Sequence, residues 1–332
     1  MSDTTAPSTV WPVTLDEVLA GRERIRPHLP PTPLRAYAAL DARVGRGIRV
    51  CVKHENHQPT NAFKARNALS AILALPDDAR RRGVVAATRG NHGAGLAWAG
   101  RLTGTAVTVC VPLGNNAEKN EAIRGFGAEL IEAGSDYDAS AEVAARLVEE
   151  RGMTLVHSTN HAAVIAGAGT IALEMLEQEP ALDALVVSVG GGSQAVGALT
   201  VARALRPGLR VYGVQAAAAP GTHDSWHAGR PQPVAPQATL ADGLATRGCY
   251  DATFGALREG LAGFTTVTEG EIAAAMRTLL ATTHTLVEGA GAAGFAGLMK
   301  LRDDLGGQRV GIILSGGNVD AATLRRVVNG EV

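Results

Sequence analysis

Residues 184–197 read Ala184-Leu185-Val186-Val187-Ser188-Val189-Gly190-Gly191-Gly192-Ser193-Gln194-Ala195-Val196-Gly197. The opening run is short, β-branched and apolar on both faces, as a strand inside a covered parallel sheet requires. Three glycines then turn the chain, and from Gln194 an Ala/Leu pattern of helical spacing runs to Leu205. A strand that turns tightly into a helix is the repeating unit of α/β proteins, whose ligands gather at the carboxyl ends of the strands. Consecutive glycines at that place let backbone N–H groups converge on a helix N-terminus, which suits a phosphate, and Ser193 adds a hydroxyl donor. The next strand is followed by Gln215 and not by the acid that would hold a dinucleotide ribose, so a simple phosphomonoester is the expected guest.

The same alternation extends in both directions. Strands are expected at 48–52, 83–87, 106–111, 129–132, 154–157, 184–189, 209–214 and 309–314. Helices are expected at 62–75, 91–102, 117–126, 137–150, 162–176, 194–205, 269–284 and 289–301, with one more at the end. Thr14 followed by Glu17 is a capping box that opens a first helix after a polar, proline-containing start expected to fray. Residues 220–240, rich in Pro, Gly and His and without periodicity, read as a long surface loop.

With 332 residues, 46 % hydrophobic and 19 % charged, the chain has the composition of a globular protein with a sizeable core. A net charge of -1 and the lack of any basic run argue against a nucleic-acid surface. No apolar stretch suffices to cross a bilayer and no leader pattern precedes Pro12, so no membrane role and a cytoplasmic location are expected. Cys51, Cys110 and Cys249 are too few and too scattered for a disulfide framework or a zinc ribbon. His54-Glu55-Asn56-His57 has its histidines three apart, not the four of a zinc-protease helix, so no metal is expected there. The nucleophile elbow of α/β-hydrolases is absent.

Lysine occurs only at Lys53, Lys64, Lys119 and Lys300. If Asn61 caps the helix that follows, Lys64 stands in its first turn, where the macrodipole and burial both disfavour the ammonium form. Lys53 ends a strand, whereas Lys119 and Lys300 lie in helices near acids and are expected to be solvated. A second polar turn, Thr88-Arg89-Gly90-Asn91-His92-Gly93, joins strand to helix, with Asn91 as its expected cap. A third, Ser315-Gly316-Gly317-Asn318, follows the last strand and presents a neutral hydroxyl.

One amine, a phosphate cradle, a polar asparagine turn and a neutral hydroxyl, in this order, resemble the fold-type II pyridoxal-phosphate enzymes, most nearly their serine/threonine dehydratase branch. The resemblance runs from Pro31-Thr32-Pro33-Leu34 through the turns above, Thr239-Leu240-Ala241-Asp242-Gly243-Leu244-Ala245 and Glu288-Gly289-Ala290-Gly291-Ala292-Ala293, to Asn318. It implies a two-lobed α/β fold like that of the tryptophan synthase β chain, with open, twisted, mostly parallel sheets flanked by helices. Residues 1–52 and 156–332 would form a large cofactor-binding domain and 53–155 a small one. Lys64 would carry pyridoxal 5'-phosphate and act catalytically. Phe63, Asn91, Gly190, Gly191, Gly192, Ser193, Gly243, Glu288 and Ser315 would bind the cofactor, and Asn61, Thr88, Arg89, Gly90 and His92 the substrate. The implied reaction converts an L-β-hydroxy amino acid such as L-threonine or L-serine to a 2-oxo acid and ammonia, and the implied assembly is a homodimer.

The chain departs from the family pattern where Asn61-Ala62-Phe63-Lys64 replaces Gly-Ser-Phe-Lys, where Arg89 stands for a small hydroxyl residue, and where Ser193 replaces a fourth glycine. Substrate identity therefore stays open. A β-replacement enzyme, a lyase for an unusual hydroxy amino acid, a racemase and an idle cofactor carrier are the alternatives. The racemase-like relatives' acids for a divalent cation fall on Gln215 and Gly221, so that metal site is expected to be missing.

Overall fold

The computed structural model describes residues 11–332; residues 1–10, part of the stretch expected to fray, lie outside them. The first half runs α1 (Leu15–Ile25), β1 (Leu34–Ala36), α2 (Ala38–Val44), β2 (Arg49–Lys53), α3 (Lys64–Ala74), α4 (Asp77–Arg82), β3 (Val84–Ala87), α5 (Asn91–Thr103), β4 (Val107–Val111), α6 (Ala117–Gly125), β5 (Glu129–Glu132), α7 (Tyr137–Arg151) and β6 (Thr154–Leu155). The second runs α8 (Ala162–Gln178), β7 (Ala184–Ser188), α9 (Ser193–Leu205), β8 (Arg210–Ala216), α10 (Gly221–Ala228), α11 (Asp251–Gly260), β9 (Gly263–Val267), α12 (Glu269–Thr283), α13 (Gly289–Leu301), β10 (Arg309–Ile313) and α14 (Ala321–Val328). The capping box at α1 is formed, with Thr14 Oγ1 accepting from Glu17 N and Glu17 Oε2 accepting from Thr14 N.

Two sheets result. Six strands pair in the order β1-β2-β10-β7-β8-β9 and four in the order β5-β4-β3-β6. Every pairing is parallel except β1 with β2. The pleat of β7 shows why its run is apolar throughout: Val186 faces the core shared with α13, while Leu185 and Val187 face the core shared with α8 and α9. Helices α8 and α9 cross at Gly169 and Gly197, where a Cβ on Gly197 would lie 2.5 Å from the Gly169 nitrogen. A larger residue there would force the helices apart.

Several expectations need correction. The supposed loop 220–240 contains α10, which buries Thr222 and Ser225, bonds Ser225 Oγ to the Gly221 carbonyl and stops at Gly229 in the left-handed region. Its buried face is polar, so no apolar period announced it. The chain also forms β1, α2, α4, α11 and β9, none of which the alternation of apolar runs revealed. β9 is an edge strand with mixed burial, and α4 is nearly all charged, buries only Ala79 and is laced by Arg82 with Asp78.

Candidate active site

The loop before α3 is stitched to the turn after β10. Phe63 N donates to the Ser315 carbonyl at 2.9 Å, Ala62 bridges to Gly316, and Gly317 N donates to the Asn61 carbonyl at 2.8 Å. These contacts bring Lys64, the first residue of α3, into one cavity with Ser315. Lys64 Nζ donates to the Ser158 carbonyl at 3.2 Å, and burial pulls its pKa down to about 8. A free amine is therefore accessible near neutral pH, as a nucleophile or base needs.

Across the cavity, Gly192 caps α9 with φ 99°, a left-handed conformation that favours glycine. Added Cβ atoms would fall 2.8 Å from the Gly243 carbonyl at Gly190 and 2.3 Å from Thr159 Oγ1 at Gly191. Thr222 Oγ1 and Thr253 Oγ1 donate to the Gly190 and Gly191 carbonyls at 3.0 and 2.7 Å, holding the loop from behind. The first N–H groups of α9 have no intrahelical acceptor and open on the cavity, a cradle that only a side-chain-free loop leaves free. Buried Ser188 Oγ and Gln194 Nε2 beside it have no partner in the protein. This donor set fits a phosphate, and a phosphate cradle facing a depressed-pKa lysine fits pyridoxal phosphate.

Of the residues singled out from the sequence, Phe63, Lys64, Thr88, Arg89, Gly90, Asn91, His92, Gly190, Gly191, Gly192, Ser193, Gly243, Glu288 and Ser315 all line this cavity. Asn61 does not. It neither caps α3 nor lines the wall; it sits at φ 53° and its Nδ2 reaches Asn318 Oδ1 at 3.4 Å. The position before α3 is Phe63, which gives no side-chain cap. Asn91 is likewise inside its helix, behind Gly90, with its amide engaged: Nδ2 donates to Glu288 Oε1 at 2.7 Å and Oδ1 accepts from Asn318 at 2.8 Å. His92 is buried, donates from Nε2 to the Val156 carbonyl at 2.8 Å, and is driven to a pKa of about 3 by burial and by Lys64. Only its Nδ1 lone pair remains, which cannot hold a carboxylate.

Of the lysines, Lys53 ends β2 as expected and Lys119 needs correction. Lys53 is fully buried beside Glu174, and burial lowers its pKa against the pull of Glu174 and Glu55. Lys119 is not solvated: it lines the cavity and pairs with Asp242. Arg89 is exposed at the cavity wall, and among the described residues no acid pairs with it. Arg247 spans the mouth to Asp136 and Asp138 at 3.2 and 3.1 Å. Tyr137 and Tyr250, also on the wall, lie in segments whose sequence carried no motif.

The family profile described as pyridoxal-phosphate dependent enzyme matches residues 25–316. The chain belongs to that family, and pyridoxal phosphate is its cofactor. It is 36 % identical to an L-threonine ammonia-lyase of Thermotoga maritima over 96 % of this chain and 78 % of that protein. It is 34 % identical to an L-threo-3-hydroxyaspartate ammonia-lyase of Saccharomyces cerevisiae over 96 % and 97 %. The structure of maize serine racemase superimposes with a TM-score of 0.90 at 30 % identity, covering 97 % of this chain and 98 % of that one. The fold is thus that of the fold-type II pyridoxal-phosphate enzymes, and no described helix is long and apolar enough to cross a membrane.

Proposed function

We propose that the chain is an ammonia-lyase that turns an L-β-hydroxy amino acid into a 2-oxo acid and ammonia. The observation that carries this reading is the buried, readily neutral amine of Lys64 set between the glycine cradle and the Ser315 hydroxyl. In this reading the amides of Gly190–Ser193 would hold the phosphate, the Asn91 amide would serve the ring oxygen and the Ser315 hydroxyl the ring nitrogen. Bound there, the cofactor supplies an aldehyde that condenses with amines and a ring that accepts the electrons released at the substrate α-carbon. Ser315 offers a neutral hydroxyl where a carboxylate would keep the ring nitrogen charged, and that favours elimination over amino transfer. Lys64 Nζ, oriented by the Ser158 carbonyl, takes the α-proton. The β-hydroxyl would leave as water with the proton that Lys64 has taken up, and hydrolysis of the released enamine by one water would give the 2-oxo acid and ammonia. The turn before α5, with buried Thr88 and Gly90 and exposed Arg89, would receive the substrate carboxylate; His92 props that turn against Val156.

The division into lobes at residues 53–155 belongs to the same reading and is supported by the two separate sheets. A homodimer belongs to this reading by family resemblance alone, and a cytoplasmic location by the free Cys51, Cys110 and Cys249, which suit a reducing compartment.

Incubation with L-threonine, L-serine and L-threo-3-hydroxyaspartate is expected to release 2-oxo acid and ammonia in equal amounts from at least one of them. Failure with every β-hydroxy amino acid would overturn the proposal. Arg89 supports the lyase reading over racemisation as the main activity. A guanidinium stays protonated and cannot return a proton to the α-carbon, whereas it pairs well with a carboxylate. Arg89→Ser is expected to raise KM roughly 10- to 100-fold, the equivalent of about 1.5–3 kcal/mol for a lost charged hydrogen bond. Heavy-water incubation of the wild type should give deuterated product but negligible enantiomer; rapid racemisation or an unchanged KM would show the side chain to be elsewhere.

A further inference from the structure

Lys119 rises from the first turn of α6, where Asn116 Oδ1 caps its backbone N–H at 3.1 Å. Its stem lies flat on Gly90, so close that a Cβ there would be 2.6 Å from Lys119 Cδ. The ammonium then reaches Asp242 on the opposite wall. With Asp242 and Glu288 this side chain lines the wall between the main cavity and one adjoining cavity, and with Gly90 and Asn91 the wall toward another. Glu288 stands on the same partition. It is 4 % exposed, its Oε1 accepts from Asn91, and its Oε2 has no partner in the protein.

The amide of Asn91 is constrained at both ends. Asn318 Nδ2 donates to its oxygen while also donating to the Thr60 carbonyl at 2.9 Å, so the amide cannot turn over without losing that bond. One of its N–H groups goes to Glu288, leaving the other for the cavity. The strength of this arrangement depends on the charge of Glu288, because a carboxylate accepts about twice as strongly as a neutral group. Lys119 is the cation beside it; Asp242 and, farther off, Asp320 oppose that cation, and Glu269 and Arg326 lie across the adjoining cavity.

We infer that Lys119 is a positioning residue: its ammonium, laid across Gly90 to Asp242, holds Glu288 as a carboxylate, and that carboxylate fixes how the Asn91 amide presents its N–H to the cavity. The inference rests on the proposed placement of the cofactor's ring oxygen beside Asn91. Burial pushes the Glu288 carboxyl up to about 7, with Lys119 pulling it down and Asp242 pushing it up. The charge that Lys119 maintains is therefore lost as pH falls through about 7.

The test is the absorption spectrum of the cofactor-loaded protein between roughly pH 5.5 and 9, a range spanning perturbed carboxyl values. The wild type is expected to show a transition near pH 7. Lys119→Met should move it up by about one unit and Asp242→Asn should move it down, while Lys119→Arg should restore it. Glu288→Gln should abolish it. Opposite shifts from two partners of one ion pair are not produced by general loosening, and either variant alone suffices if the other does not fold. Unmoved transitions together with an altered spectrum in Asn91→Ala would overturn the inference and leave the function standing. An unaltered spectrum in Asn91→Ala would instead remove the placement on which it rests.

Discussion

Lys64→Ala is expected to lower kcat by about 10³-fold or more, since in the proposed function it removes both the anchoring amine and the base for the α-proton. The fold should survive, because the substitution relieves a buried amine whose single hydrogen bond goes to the Ser158 carbonyl. Circular dichroism and thermal melting of the variant should therefore track the wild type while 2-oxo acid formation disappears. Borohydride reduction of the wild type followed by peptide mapping should leave the cofactor on the peptide containing Lys64. A label on Lys53, Lys119 or Lys300 would place the chemistry elsewhere.

The largest effect on stability is expected from Arg66, two residues beyond Lys64 and wholly excluded from solvent. Its guanidinium donates to Glu55 Oε2 and Oε1 at 2.8 and 2.9 Å, to Glu174 Oε1 and Oε2 at 2.5 and 2.8 Å, and to Thr170 at 3.2 Å. Lys53 completes the cluster on Glu174 and the Thr32 carbonyl. Truncation leaves two buried carboxylates with one cation between them, which costs about 3–5 kcal/mol. Arg66→Ala should lower Tm by roughly 4–7 °C, and Arg66→Lys should recover little, because a point charge cannot fork to two carboxylates. The acid side carries a further signature. Burial alone would raise the Glu55 carboxyl, but Arg66 and Lys53 outweigh it and hold it below the ordinary carboxylate range. A depressed carboxyl contributes stability above its unfolded value and loses it as pH falls through the folded one. The wild type should thus give up this contribution only at strongly acid pH, whereas Arg66→Ala should lack it at neutral pH already. Equal Tm values for the two proteins would refute the keystone role.

Residues whose chemistry is local were legible in the sequence. β5 and α13 fall where period and composition place them, and the glycines at 190–192 announce their turn without help from the rest of the chain. Lys64 stood out because its neighbours restrict it to a helix start. Lys119 did not, since an acid nearby in sequence looks the same whether the side chain reaches solvent or crosses a cavity to Asp242, more than a hundred residues away. Arg66 was hidden for the same reason: its partners Glu55 and Glu174 are brought together only by β2, α3 and α8. Asn61 and Asn91 failed as caps because an asparagine before an apolar run has several backbone roles, and the pairing of residues 61–63 with 315–317 selects among them.

That pairing also governs when the site comes into being. Lys64 and the Ser315 turn are about 250 residues apart in the chain, and β10, which leads into that turn, is the strand between β2 and β7 in the middle of the larger sheet. During synthesis at about 5–20 residues per second, the early lysine waits roughly 10–50 s before its neighbours leave the ribosome. For that interval β2 and β7 have no strand to join them, and both present unpaired backbone on the sides that β10 will occupy. The nascent polypeptide therefore carries a split, adhesive sheet until β10 is made, and its yield in a cell will depend on whatever shields those edges meanwhile.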